Sequence, residues 1–80
     1  MRYYIIDEYG DQMRNMEGKV IYIDGMEDTL MMVRFYLDMG YGNKFHVWQQ
    51  DGMLAFDATW DSDMFEVICK SADGSNEWRW

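Results

Sequence analysis

The chain predicts an α+β fold: an antiparallel sheet of five to six strands with one helix packed on one face. Three observations carry that reading. Short runs of β-branched and aromatic residues alternate with turn dipeptides such as Asp51-Gly52 and Asp73-Gly74. One stretch, residues 26–39, carries apolar side chains at helical spacing. The length of 80 residues suits a single domain, 1–80, and four Trp, six Tyr, four Phe and nine Met supply the bulk for one core.

Arg2 to Ile6 reads as the first strand. Asp7-Glu8-Tyr9-Gly10-Asp11 is a turn, and Gln12 to Met16 is expected to return antiparallel. A tight loop at Tyr9-Gly10 would set Glu8 opposite Asp11, so a wider loop or a bulge at Gly10 is predicted. Glu17-Gly18-Lys19 is a second turn or irregularity, and Val20 to Ile23 is a third apolar run, too short to separate from its predecessor. Asp24 then reads as a helix N-cap with Glu27 completing a capping box. Met26, Leu30, Val33 and Leu37 share one helical face, flanked by Met31, Phe35 and Tyr36, and Gly40 is the left-handed stop.

Lys44 to Gln50, Asp51-Gly52 and Met53 to Trp60 predict a type I′ hairpin. Its register sets Gln50 opposite Met53, Trp48 opposite Ala55 and His46 opposite Asp57. Phe45, Val47, Leu54, Phe56 and Ala58 then face the core, and Lys44, His46, Trp48, Met53, Asp57 and Thr59 face away. After a turn at Asp61-Ser62-Asp63, Phe65, Val67 and Cys69 alternate with Glu66, Ile68 and Lys70 as a half-buried strand. A tight turn at Asp73-Gly74 pairs Lys70 with Glu77, Cys69 with Trp78 and Val67 with Trp80, making the C-terminus an ordered last strand. One helix leaves part of such a sheet uncovered, with Trp48, Met53 and Ile68 as candidates for that face.

Several functions are disfavoured by composition. Cys69 is the lone cysteine, so no intrachain disulfide forms, and one Cys with one His excludes the common structural zinc patterns. The N-terminal apolar run is cut short by Asp7 and Glu8, and no run reaches membrane-spanning length, which reads as a complete, cytosolic open reading frame. Asp57, Asp61, Asp63 and Glu66 lack the glycine and spacing of a calcium loop. No glycine-rich phosphate loop is present, and no cofactor or metal is expected. His46 opposite Asp57 resembles a catalytic pair but is far more commonly a simple cross-strand contact. No nucleophile accompanies it, since Ser62, Ser71 and Ser75 lie in turns and Cys69 faces the core, so the chain is not read as an enzyme.

The net charge of −8 is the strongest functional signal. Asp7, Glu8, Asp11, Glu17, Asp24, Glu27 and Asp28 fall in one segment; Asp51, Asp57, Asp61, Asp63 and Glu66 fall in another that has no basic residue. Clustered in space, such carboxylates present charge as a nucleic acid presents phosphates, and attract a basic nucleic-acid-binding protein rather than nucleic acid or an anionic membrane. Ordinary solubilising charge is the bland alternative. Aromatic stacking on bases lacks the positive charge it needs. Met13, Met16, Met31 and Met32 read mainly as core, with a few left for an adaptable protein interface.

In size, charge, absence of targeting and absence of a catalytic set, the chain resembles the small acidic proteins that bacteriophages encode to inhibit host defence nucleases, of the anti-restriction and anti-CRISPR type. The resemblance rests on no specific motif. It implies a stoichiometric inhibitor that acts in the host cytoplasm by occupying a partner's basic surface. The residues expected to bind are Asp57, Asp61, Asp63 and Glu66, with Asp7, Glu8 and Asp11 as a second patch. The rival expectation is a homodimeric assembly module that pairs through an apolar sheet face or the Trp78/Trp80 strand.

Overall fold

The computed structural model describes residues 1–80. The elements are β1 (Arg2–Asp7), β2 (Ile23–Asp24), α1 (Met26–Asp38), β3 (Lys44–Gln49), β4 (Leu54–Asp61), β5 (Glu66–Ser71) and β6 (Glu77–Arg79). They form one antiparallel six-stranded sheet in the order β2-β1-β3-β4-β5-β6 with a single helix on one face, the α+β class the pattern predicts. No helix is long and apolar enough to cross a membrane.

Alternation builds the core. Tyr3 and Ile5, Phe45 and Val47, Phe56 and Ala58, and Val67 and Cys69 point from successive strands toward the helix, where Val33, Tyr36 and Leu37 meet them. Phe45, Val47, Ala58, Val67 and Cys69 are wholly buried. Thr29 is the one buried polar residue, and its hydroxyl donates to the Gly25 carbonyl at 2.7 Å, which removes the penalty of burying it. The last strand pairs as expected: Lys70 with Glu77, Cys69 with Trp78, and Val67 exchanging both backbone bonds with Trp80.

Five local expectations are corrected. Gln12 to Met16 forms no ladder strand, only isolated bridges of Gln12 to Ile6 and Arg14 to Val20, because residues 12–21 fold on themselves instead. Asp24 does not cap the helix. It lies in β2 with its carboxylate on Arg2 at 3.2 Å, and Gly25 holds the N-cap position with no side-chain cap. The 51–52 turn is not type I′. That turn needs left-handed backbone at both central residues, yet only Gly52 adopts it, with φ 94°. Asp51 instead accepts from the Met53 N–H at 3.1 Å, and the loop widens to three residues, closed by Gly52 N–H donating to the Gln49 carbonyl. The extra residue is absorbed at a bulge, so Trp48 faces Leu54 while His46 still faces Asp57. Ala55 thereby packs against the core in place of Leu54, and Met53 becomes an exposed loop residue rather than a member of the outer face.

Phe65 is not an inward strand residue. Asp61 pairs directly with Glu66, which leaves residues 62–65 as the loop, and Phe65 sits exposed at φ 52° with its ring edge-on to Trp60. The Asp73-Gly74 turn is likewise wider than two residues. Ser71 N–H donates to the Asn76 carbonyl around a loop of residues 72–75, and this even-numbered widening keeps the predicted register.

Candidate functional site

Antiparallel pairing decides where the predicted acids go. β1 and β4 finish, and β3 and β5 begin, at the same end of the sheet. Asp7, Glu8, Asp11, Asp61, Asp63 and Glu66 therefore all lie at that end, strung across four strands and their loops. Helix α1 finishes there too. Its last turn holds no basic residue, so its partial negative charge adds to theirs. Asp57 does not join them; it stays mid-strand beside His46, with the imidazole Nδ1 on its carboxylate.

The seven differ in how free they are. Asp61 and Glu66 share the Arg79 guanidinium, at 3.3 and 3.4 Å, and both lie on the sheet face away from the helix. These two carboxylates hold the guanidinium proton more firmly than usual. Asp7 accepts from the N–H groups of Tyr9 and Asp11, both at 2.9 Å, and so fastens the first loop. Glu8 lies 3.4 Å from the Asn43 N–H, and Asp11 and Asp63 have no cationic partner.

The open sheet face is nearly charge-balanced. Arg2, Lys44, Lys70 and Arg79 stand there among Asp24, Asp57, Asp61, Glu66 and Glu77. Cross-strand neighbours alternate in character: His46 faces Asp57, Asp57 faces Lys70, and Lys70 faces Glu77. Most of the −8 therefore lies on the helix side and on the loops. Tyr4, Ile6, Trp48, Leu54 and Ile68 stand half-buried on the open face, so it mixes apolar and charged side chains. The C-terminal tryptophans are turned the other way. Trp78 packs on Phe56 with ring centres 5.6 Å apart, and Trp80 lies 5.9 Å under the Arg34 guanidinium, whose Nη1 also donates to the Trp80 carbonyl.

Beside the anionic end lies a groove that the sequence did not reveal. It runs between α1 and the 12–21 segment, with a volume of about 630 Å³. Met13, Met16 and Ile21 form one wall; Met32, Phe35, Tyr36 and Tyr41 form the other. A shallower extension adds Met31 and Asp28 along the same helix face. Asp7 lines the groove itself, and Asp28, in the first turn of α1, lines the extension that shares Met32 and Phe35 with it. Arg14 is the one cation on the wall, and its Nη1 donates to the Gly18 carbonyl.

Two helical stripes explain the groove. Thr29, Val33, Tyr36 and Leu37 are buried against the sheet, while Met31, Phe35 and Met39 recur every fourth residue on an exposed stripe. Met16, across the groove, is fully solvent-exposed. The readable signal was the pair of Met doublets together with apolar residues outside the core stripe, a combination equally consistent with core packing.

Three further titratable groups are shifted by their surroundings. The buried Cys69 thiol is pushed up to about 11 by burial, which keeps it protonated and unreactive. Burial, with Tyr41 second, also raises the Tyr36 phenol. Asp73 is lowered to about 2 by hydrogen bonds from Ser75 and Ser71, a loop-holding role. No three His, Cys, Asp or Glu side chains gather as a metal site.

The fold defines the class, a small α+β domain with an open antiparallel sheet and one covering helix. Comparison with protein-family models, curated proteins and solved structures finds no match for the chain.

Proposed function

We propose that this protein is a non-enzymatic protein-binding module that engages a basic partner through its helix side. One observation carries the reading: Asp7, Glu8, Asp11 and Asp63 lie with the helix C-terminus at one end of the sheet, and that end adjoins an apolar groove. Charge there attracts and orients a cationic surface, and the groove supplies apolar area to hold it. A nucleic-acid-binding protein is the basic partner that such charge favours, and occupying its phosphate-binding surface would inhibit it. Within the expected patch, Glu8, Asp11 and Asp63 are the residues with charge to offer, because Asp61 and Glu66 already hold Arg79.

The test is affinity capture from host lysate with the wild-type chain and with a Glu8→Lys/Asp11→Lys variant, followed by titration of the captured protein at two salt concentrations. The expected partner is basic, elutes on raising salt and loses at least about tenfold in affinity toward the variant. Undiminished, salt-insensitive binding by the variant would remove the anionic end from the account.

A further inference from the structure

We infer that the groove between α1 and the 12–21 segment receives an amphipathic α-helix that carries apolar side chains on one face and Lys or Arg toward both ends. This inference rests on the protein-binding reading above and specifies its occupant. The helical form follows from what the groove lacks. One wall is the side of α1, whose backbone groups are satisfied within the helix. The other is the 12–21 segment, where Met13 N–H donates to Ile5, Ile21 N–H to Met13 and Asn15 N–H to Lys19. Neither wall is one of the six strands of the sheet. An extended peptide entering the groove would have no ladder of the sheet to join, whereas a helix arrives with its own bonds made.

The side chains fit the same occupant. Met13, Met16, Met31 and Met32 are flexible and polarisable, so they adapt to apolar side chains of differing shape, and Phe35 gives them a firm floor. Asp7 lines the groove and Asp28 its extension, so a cation near each end of the incoming helix finds a carboxylate. Arg14 is a cation on the same wall, its Nη1 donating to the Gly18 carbonyl, so the occupant's own cations belong away from it, at the ends.

The probe is a synthetic Leu/Lys peptide about 14 residues long with its leucines at helical spacing, a length that is marginally helical alone. Its controls are a peptide of the same composition with the leucines scrambled, and polylysine. The chain is labelled at its methionine methyls and followed by NMR, with peptide helicity followed by circular dichroism. The inference expects the amphipathic peptide to gain helix on binding and to shift Met13, Met16, Met31 and Met32 while Met53 and Met64 stay still. Met16→Ser and Met31→Gln, both at exposed positions that folding does not depend on, each weaken it about fivefold to tenfold.

Equal binding of the scrambled peptide or polylysine, without those methyl shifts, overturns the helical occupant and leaves the charge-driven reading standing. Binding of none of the three probes overturns the inference, and the lysate experiment then decides the broader reading separately. A chain that sediments as a dimer with the Met16 methyl in its interface assigns the groove to a second copy and also overturns it.

Discussion

At the scale of single residues, burial governs what Cys69 and Tyr36 do. Both groups hold their protons more tightly in the folded chain than in the unfolded one, Cys69 from an ordinary value of 9.0 up to about 11. The unfolded chain therefore loses protons first as the solution becomes alkaline. The stability that the buried thiol contributes is fully present below pH 9 and falls as pH rises from about 9 to 11. Urea unfolding at pH 8, 9.5 and 11 is expected to show a loss on the order of 2 kcal/mol over that window. Cys69→Ala is expected to lower the starting stability but flatten the fall. In line with its inert environment, the native thiol resists a disulfide reagent at pH 8 and reacts once urea unfolds the chain.

Among the elements, the helix ends are unequal. The N-terminus has no side-chain cap, but the C-terminus closes in a Schellman motif, with Gly40 N–H donating to Leu37 and Tyr41 N–H to Tyr36. The Tyr36 and Tyr41 rings meet at 5.9 Å across that closure and pass directly into the groove wall. Gly40 makes this possible by adopting φ 75°. Gly40→Ala is expected to cost about 1 kcal/mol in urea unfolding, because a Cβ disfavours the left-handed backbone. It also shifts the groove methionine methyls, as the Tyr41 wall is displaced. An unchanged unfolding midpoint would show that the closure does not depend on the glycine.

For the whole molecule, the distribution of charge matters more than its total. Lys70 stands between Asp57 and Glu77 in a row across three strands, whereas Glu17 lies on a loop without a cationic partner. Lys70→Glu places three carboxylates in line and is expected to lower stability by about 1 kcal/mol at low salt, an effect that shrinks as salt is added. Glu17→Lys relieves general repulsion and is expected to leave stability within about 0.5 kcal/mol of wild type or to raise it slightly. Denaturant unfolding of both variants at low and high salt checks the contrast. Equal losses would mean that the open-face ladder contributes nothing specific.

Local periodicity by itself determined the class, the helix, the inward residues Phe45, Val47, Phe56, Ala58, Val67 and Cys69, and the β5–β6 register, because alternation and helical spacing are written in adjacent residues. It also determined which residues carry charge. Tertiary structure decided the rest, since these features depend on partners distant in the chain. Asp24 pairs with Arg2 across β1 and β2 instead of capping the helix, and Ala55 displaced Leu54 from the core once the hairpin loop took a third residue. Strand order brought two acidic segments to one end while neutralising part of one with Arg79 from the last strand. The groove exists only because the 12–21 segment folds across from the outer stripe of α1, a meeting of residues that no spacing in the sequence encodes.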